Sequence, residues 1–214
     1  AVSRQPPPCQ HFGRCGGCRW QDLPYADQLR FKEDLVRSAL EERGVSAGEF
    51  LPVQASPRSL FYRNKMEFSF ATDPAGGLVL GLHLRGRFDR VFDVLECHLQ
   101  STLSNHILRA VRQHAALAGL PAYNLKTHQG LLRFLVVRQA LRRAETLVDL
   151  VVAQYPSAEV DALVAAVLAE VPEITTFVLT LHSGKAQVAA GQAQWVVKGK
   201  GWIEEECGGL EFAI

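Results

Sequence analysis

Four cysteines stand in a pattern that could bind a metal group. Cys9, Cys15 and Cys18 fall within ten residues, and Cys97 lies far downstream. No secretory leader is evident, so metal binding by reduced thiols is favoured over a disulfide framework. Four thiolates are the ligand number of a 4Fe–4S cluster, which takes one at each iron. The spacing therefore predicts an iron–sulfur loop over residues 9–18 that Cys97 completes.

Two other interpretations of the cysteines stay open on spacing alone. Zinc could use the same four thiolates, or take His11 or His98 in place of one. Zinc sites usually pair two Cys-x2-Cys knuckles, however, and this chain has one. The third interpretation is four unligated thiols. Cys207 has no partner pattern, and we predict that it is a buried strand residue.

The charge is divided unevenly along the 214 residues. Residues 1–143 hold 20 Lys+Arg and 12 Asp+Glu, whereas residues 144–214 hold 3 and 10, for a net charge of +1. A basic front half suits a polyanion such as RNA, although a solvated basic surface explains it equally well. No stretch approaches 18 consecutive apolar residues. We expect a cytoplasmic monomer with no membrane partner.

The elements that must position these residues are indicated by hydrophobic periodicity. Helices are predicted over 22–43, 99–118 and 158–170, and strands over 61–70, 78–84, 88–94, 131–138, 146–153, 174–181, 195–198 and 202–205, with another near 187–190. The fold class expected is α+β, a mostly antiparallel sheet with three packed helices. The sequence predicts two domains. Residues 1–21 form a Pro-rich lead-in and the iron–sulfur loop that Cys97 completes, and residues 22–214 form a central RNA-recognition domain. The start without Met and the apolar end indicate an excised piece.

Basic side chains near two strands are the candidate RNA contacts. Guanidinium groups suit phosphates because their planar fork donates two parallel hydrogen bonds. Any one of these side chains could equally be a solvated surface group, and Asp89 could pair with a nearby arginine. The predicted RNA-binding residues are Arg63, Lys65, Arg85, Arg87 and Arg90.

Four segments, in order, resemble the bacterial ribosomal-RNA uracil-C5 methyltransferases that carry an iron–sulfur cluster. They are residues 9–21 (CQHFGRCGGCRWQ), 62–68 (YRNKMEF), 81–100 with its hairpin and Cys97, and 130–138. The resemblance spans nearly the whole chain and favours iron–sulfur over zinc. It implies a fuller enzyme in which S-adenosylmethionine methylates C5 of a flipped-out uridine, a cysteine attacks C6 and a carboxylate removes the C5 proton.

The chain departs from that family in two ways. The small RNA-binding barrel that often precedes the cluster loop is missing, and no strand–Gly-rich loop–helix unit typical of a Rossmann-like catalytic domain is recognisable. We therefore expect S-adenosylmethionine to bind only in a missing C-terminal domain and the chain alone to be inactive. Two other classes remain open, a zinc-stapled RNA-binding module without enzymatic activity and a small iron–sulfur electron carrier.

Overall fold

The computed structural model describes residues 3–46 and 48–214. Residues 1, 2 and 47 lie outside the described residues, so the predicted domain 1–21 can be followed from residue 3 onward. The elements are, in chain order, α1 (Tyr25–Glu42), β1 (Lys65–Thr72), β2 (Leu78–Leu84), β3 (Arg87–Asp93), α2 (Thr102–Leu117), β4 (Leu132–Ala140), β5 (Glu145–Val152), α3 (Ala158–Glu170), β6 (Thr176–Leu181), β7 (Ala193–Lys198), β8 (Glu204–Cys207) and β9 (Leu210–Ala213).

A seven-stranded sheet organises the molecule, in the order β3-β2-β1-β4-β5-β6-β7. Strands β5 and β6 are parallel, and the other neighbours are antiparallel. The parallel pair is joined by α3, because two parallel strands need a long crossover connection. Strands β8 and β9 form a separate hairpin.

The main core lies between one face of the sheet and the helices α2 and α3. Phe68, Leu135 and Phe177 of the sheet are fully buried there. They belong to one apolar cluster with Ile107 of α2 and Val160 of α3. Apolar burial on this scale supplies most of the driving force for folding.

The opposite face, called the second face here, is more polar. The strand registers place Ser69, Val136, Asp149 and Val178 on it. Burial raises the pKa of Asp149 to about 6, while a hydrogen bond with Thr180 pulls it back in part. The second face therefore carries, in the middle of the sheet, a carboxyl group that is harder to ionise than an ordinary aspartate.

The predicted fold class, α+β with a mostly antiparallel sheet and three packed helices, is wrong as a whole, although the sheet is mostly antiparallel as predicted. Strands β5 and β6 are parallel, because the 13-residue crossover helix α3 joins them. Helix α1 is not packed into the core, because none of its residues is buried. Its apolar residues Phe31, Leu35 and Val36 are about half exposed.

Several predicted elements are confirmed. Helix α3 spans the predicted 158–170, and the Ser157 hydroxyl caps it by accepting from the Val160 N–H. The predicted hairpin is formed by β2 and β3. The predicted strand near residues 187–190 is wrong, because that segment is a loop. In the part of the chain that the structure describes, no helix is both long and apolar enough to cross a bilayer.

Candidate functional site

The four cysteines predicted as ligands line one cavity, called the cysteine cavity here. Its volume is about 290 Å³, and Cys9, Cys15, Cys18 and Cys97 all border it. Cys97 is buried, and the other three are partly buried. The fold thus brings a thiol at the end of the β2–β3 hairpin region to three thiols of residues 9–18, called the cysteine loop here.

Tight turns shape the cysteine loop. The Phe12 N–H donates to the Cys9 carbonyl at 3.0 Å, and the Cys15 N–H donates to the His11 carbonyl at 2.8 Å. Gly13 between them has a φ of +83°, a conformation that side chains with a Cβ rarely adopt. Glycine therefore allows the chain to turn back so that Cys9 and Cys15 reach the same cavity.

The cysteine loop is joined to the β2–β3 hairpin by Arg85. Its backbone N–H donates to the Arg14 carbonyl at 2.9 Å, and its guanidinium Nη2 donates to the Cys18 carbonyl at 2.5 Å. Cys15 forms an isolated β-bridge with Leu84 beside this contact. Arg85, predicted as an RNA contact, therefore also holds the loop in place.

Cys97 is positioned by Asn105 of helix α2. The Asn105 Oδ1 accepts from the Cys97 N–H at 2.8 Å, and its Nδ2 donates to the Cys97 carbonyl at 3.0 Å. Ser101 caps the same helix by accepting from the Ser104 N–H at 3.0 Å. The fourth thiol is thus tied to a core helix, whereas the other three belong to a loop.

His11 makes a structural contact inside the site. It is buried, stacks on Phe92 with ring centroids 5.2 Å apart, and its Nε2 accepts from the Leu95 N–H at 3.1 Å. Burial lowers the pKa of His11, which suits a neutral acceptor. Because Nε2 is engaged with the backbone, that nitrogen is not free to replace a thiolate on zinc.

Two of the four thiols are harder to ionise than an ordinary cysteine. Burial raises the pKa of Cys97, and burial followed by the nearby thiols raises the pKa of Cys18. The Gln21 amide, 3.2 Å from the Cys18 Sγ, partly offsets the rise in the pKa of Cys18. The Gly17 N–H lies 3.3 Å from the Cys15 Sγ. A bound metal group would reverse the balance, because thiolates are stabilised by metal charge.

The spread of the ligands bears on which group would fit. Within residues 3–46 and 48–214, no three His, Cys, Asp or Glu side chains are close enough together to hold one metal ion. A 4Fe–4S cube takes each thiolate at a different iron, so its ligands surround a cluster rather than an ion. The four thiols border one cavity but are not close enough together to form a group that could hold one metal ion.

Cys207 lies apart from the other four cysteines. It ends strand β8 and is exposed, so the prediction of a buried strand residue is wrong. Strands β8 and β9 form a two-stranded hairpin whose residues are partly or fully exposed, so Cys207 has no core to face.

Two of the predicted RNA contacts lie at the start of β1. Arg63 borders the cysteine cavity, and its Nε donates to the Lys65 carbonyl at 3.0 Å. The Lys65 ammonium is 3.8 Å from the Glu67 carboxylate. Both cationic groups are exposed, so solvent screens these contacts strongly.

The remaining predicted contacts lie on strand β3. Arg87 and Asp89 form a two-bonded ion pair, with both N–O distances at 3.0 Å. This contact lowers the pKa of Asp89 to about 2. Arg90 is exposed on the same strand. Arg90 is therefore better placed than Arg87 to meet a phosphate, since the Arg87 fork already has a carboxylate.

A second cavity, of about 310 Å³, was not predicted from the sequence. It lies on the second face, between the β2–β3 hairpin and the loop 123–130, and we call it the second cavity. His83, Phe88, Tyr123, Lys126 and Arg133 border it. The available signal was Arg133, a charged residue inside an otherwise apolar strand.

The chain is similar along nearly its whole length to proteins named uncharacterized RNA methyltransferases. One from Nitratidesulfovibrio vulgaris is 41% identical over 209 residues, which cover 96% of this chain and 44% of that protein. One from Caldanaerobacter subterraneus subsp. tengcongensis is 37% identical over 210 residues, covering 97% and 46%. The chain thus spans about half the length of the curated relatives it matches. No protein-family model matches it.

A solved structure shares the fold. The tRNA (uracil-54, C5)-methyltransferase of Pyrococcus abyssi, determined with S-adenosyl-L-homocysteine, aligns with a TM-score of 0.68. The alignment covers 94% of this chain and 45% of that chain, at 22% identity. At 22% sequence identity, this match shows that the two chains share a fold.

This match corrects two predictions made from the sequence. The expected fold class, an α+β domain from which the catalytic Rossmann-like domain is absent, is contradicted, because 94% of the chain aligns with a methyltransferase chain. The restriction of S-adenosylmethionine to a missing domain conflicts with the same match and is not retained. The chain is related, along nearly its whole length, to RNA methyltransferases.

Proposed function

We propose that the chain is the cluster-bearing and RNA-recognition portion of an S-adenosylmethionine-dependent RNA methyltransferase that modifies C5 of uridine, with ribosomal RNA as the substrate class. The observation that carries the proposal is the cysteine cavity, in a chain whose relatives are named RNA methyltransferases. Such an enzyme works in the cytoplasm, where its RNA is found.

In this proposal Cys9, Cys15, Cys18 and Cys97 hold a 4Fe–4S cluster. Cys9, Cys15 and Cys18 would hold the cluster from the cysteine loop and Cys97 from the other side, so ligation would tie the loop to Cys97, and the charge of the iron would stabilise the thiolate form. Few apolar side chains of the loop are buried, so ligation would provide the ordering that packing does not. Asn105 and Arg85 then act as positioning residues for the two sides of the site.

The exposed basic side chains Arg63, Lys65 and Arg90 of the front half would bind RNA through its phosphates. S-adenosylmethionine supplies the methyl group, and the uridine leaves its base stack to be reached. The chain spans about half the length of its relatives. We propose that methyl transfer also needs the part of the protein that corresponds to the other half of those relatives. With RNA and methyl donor, the 214 residues alone should yield no 5-methyluridine.

Metal analysis of anaerobically purified protein tests the cluster. We expect about four irons and matching sulfide per chain, with a brown visible absorption. Cys18→Ser and Cys97→Ser should lose the iron, whereas the matched control Cys207→Ser should keep it, because that thiol lies outside the cavity. Stoichiometric zinc in place of iron would instead support a zinc-stapled module.

RNA binding is tested by titrating a labelled ribosomal-RNA fragment at two salt concentrations. Binding through phosphates releases counterions, so affinity should fall steeply between about 50 and 200 mM salt. Arg63→Ala, Lys65→Ala and Arg90→Ala should each weaken binding of many RNA sequences and reduce the salt slope. Arg143→Ala is the control, since Arg143 pairs with Glu211. An RNA affinity that does not change with salt concentration would show that the RNA-binding surface lies elsewhere on the protein.

A further inference from the structure

The second cavity has the size of a site for one small group. Its volume of about 310 Å³ is at the lower end of the roughly 300–1,000 Å³ range of ligand pockets. A single nucleotide base fits such a space, whereas a double helix does not. The cavity also lies beside the β2–β3 hairpin, which carries the predicted RNA contact Arg90.

One wall of the second cavity is built before any ligand arrives. In the loop 123–130, the Asn124 side chain accepts from the N–H groups of Lys126 at 2.8 Å and Thr127 at 3.1 Å. Gly130 closes the loop with a φ of +110°, and a Cβ there would clash with the Ala122 carbonyl. A rigid wall lowers the entropy that binding must overcome.

The floor of the second cavity carries an unbalanced positive charge. Arg133 is 3% exposed, and its guanidinium donates to the carbonyls of His182, Gly184 and Ala186 at 2.5–2.7 Å. Among the residues that the structure describes, Arg133 takes part in none of the ion pairs, and its Nε has no hydrogen-bond partner. A buried cation without a carboxylate attracts electronegative groups.

The rim of the second cavity combines an aromatic ring with a second cation. Phe88 is 83% exposed, a large apolar exposure for a strand residue. Lys126 stands exposed on the opposite loop. Asp89, the one carboxylate among the described residues that border the cavity, is engaged by Arg87. The rim therefore favours a flat ring attached to a negatively charged group.

Polar side chains inside the second cavity are placed to form hydrogen bonds with the edge of that ring. The Ser69 hydroxyl and the His83 Nε2 are 3.3 Å apart, and the His83 Nδ1 has no partner within the described chain. Tyr123 is held by the Arg133 guanidinium, 4.0 Å from its ring centroid. Buried polar atoms are normally paired, so a ligand or a water would complete them.

We infer that the second cavity binds one unpaired RNA nucleotide, with its base stacked on Phe88 and its phosphate near Lys126. Stacking on aromatic rings and contacts to unpaired bases are how proteins recognise single-stranded RNA. The inference rests on the proposed function and adds to it the place where an unpaired base beside the bound RNA is held.

A fluorescent base tests this inference. Short single-stranded RNAs carrying 2-aminopurine are titrated into the protein, with the matching duplex as a second probe. Stacking should quench the single strand and leave the duplex unchanged. Phe88→Ala should weaken single-strand binding by at least about fivefold and remove the quenching, as loss of one stack predicts. Lys126→Ala should weaken binding and keep the quenching.

The controls separate this inference from the proposed function. Phe212→Ala removes an exposed ring on β9, and Lys32→Ala removes an exposed cation on α1; both should bind like the parent protein. Unchanged thermal midpoints would show that Phe88→Ala still folds. Full binding and quenching in Phe88→Ala would overturn the nucleotide site and leave RNA binding intact. Absence of RNA binding in the parent protein would overturn both. Equal competition by inorganic phosphate and uridine monophosphate would also overturn it, because it would show an anion site.

Discussion

Two regions of this molecule are held together by different forces. The sheet with α2 and α3 is stabilised by a continuous apolar core in which residues such as Leu150 and Phe177 are inaccessible to solvent. The N-terminal region, residues 3–46 and 48–64, has no buried residue in its helix α1 and is held by polar contacts and ring stacking. The cysteine cavity lies where the two regions meet.

The contacts of the N-terminal region show what replaces a core. Trp20 and Phe31 stack edge to face at 5.1 Å, and the Arg37 guanidinium lies 3.9 Å from the Phe50 ring centroid. The Ser56 N–H donates to the Tyr25 hydroxyl at 2.9 Å. Such contacts contribute about 1 kcal/mol each, so this region depends on its link to the sheet more than the sheet depends on it.

The largest effect we predict compares two phenylalanines. Phe177→Ala should lower the free energy of unfolding by about 3–5 kcal/mol, because it empties a fully buried site in β6. Phe31→Ala, on α1, should lower it by about 1 kcal/mol or less, since the ring is half exposed. Urea unfolding followed by circular dichroism measures both. Equal losses would show one cooperative core that includes α1.

The next prediction concerns Asp149, the polar exception within the sheet. Its pKa is about 6 in the folded chain and ordinarily 3.8, so the folded state binds the proton more tightly. That stabilisation is complete below about pH 4 and is lost as pH rises through 6. Asp149→Asn should therefore raise the free energy of unfolding at pH 8, by up to about 3 kcal/mol, and by roughly half as much at pH 5.

Urea unfolding at the two pH values measures this difference. An Asp149→Asn effect that is the same at pH 5 and pH 8 would mean that the carboxyl is ionised in both cases.

The junction between the two regions gives a third prediction. Asn105→Ala leaves the buried N–H and carbonyl of Cys97 without partners, which should cost about 1–3 kcal/mol of global stability. It should also speed loss of iron to a chelator. Asn64→Ala, with an exposed side chain, is the matched control. Loss of stability with unchanged iron retention would show that Asn105 serves the core alone.

The sequence predicts the two regions unequally well. Helix α3 was located at both ends, because its cap at Ser157 and its apolar stripe act within a few residues. The direction of β6 relative to β5 was not predicted, since it depends on where the crossover helix returns the chain. Helix α1 has the periodicity of a packed helix, but periodicity does not show whether a partner surface is present.

The two cavities also differ in how far the sequence predicts them. The cysteine loop is local, so spacing singled out its three thiols and the remote Cys97 as a fourth ligand, and the fold brings all four to one cavity. The second cavity assembles β1, β2, β3, β4 and the loop 123–130, and no single segment contains its pattern. Arg133 and Asp149, two charged residues in apolar strands, were the unused signals.

The smallest effect we predict separates two roles of the arginines. Arg85 donates to the Cys18 carbonyl, whereas Arg90 is exposed on β3. Arg85→Ala should change global stability by less than about 1 kcal/mol, because its side chain is exposed and the sheet core does not include it. It should nonetheless release iron a fewfold faster, since the cysteine loop loses its tie to the hairpin.

While the cluster is intact, RNA affinity should fall for Arg90→Ala and stay near the parent value for Arg85→Ala. Arg85→Lys should recover part of the iron retention, because an ammonium can donate one hydrogen bond to the same carbonyl. If Arg85→Ala instead weakens RNA binding and retains iron normally, Arg85 is an RNA contact, and the cysteine loop is held by its thiols and turns alone.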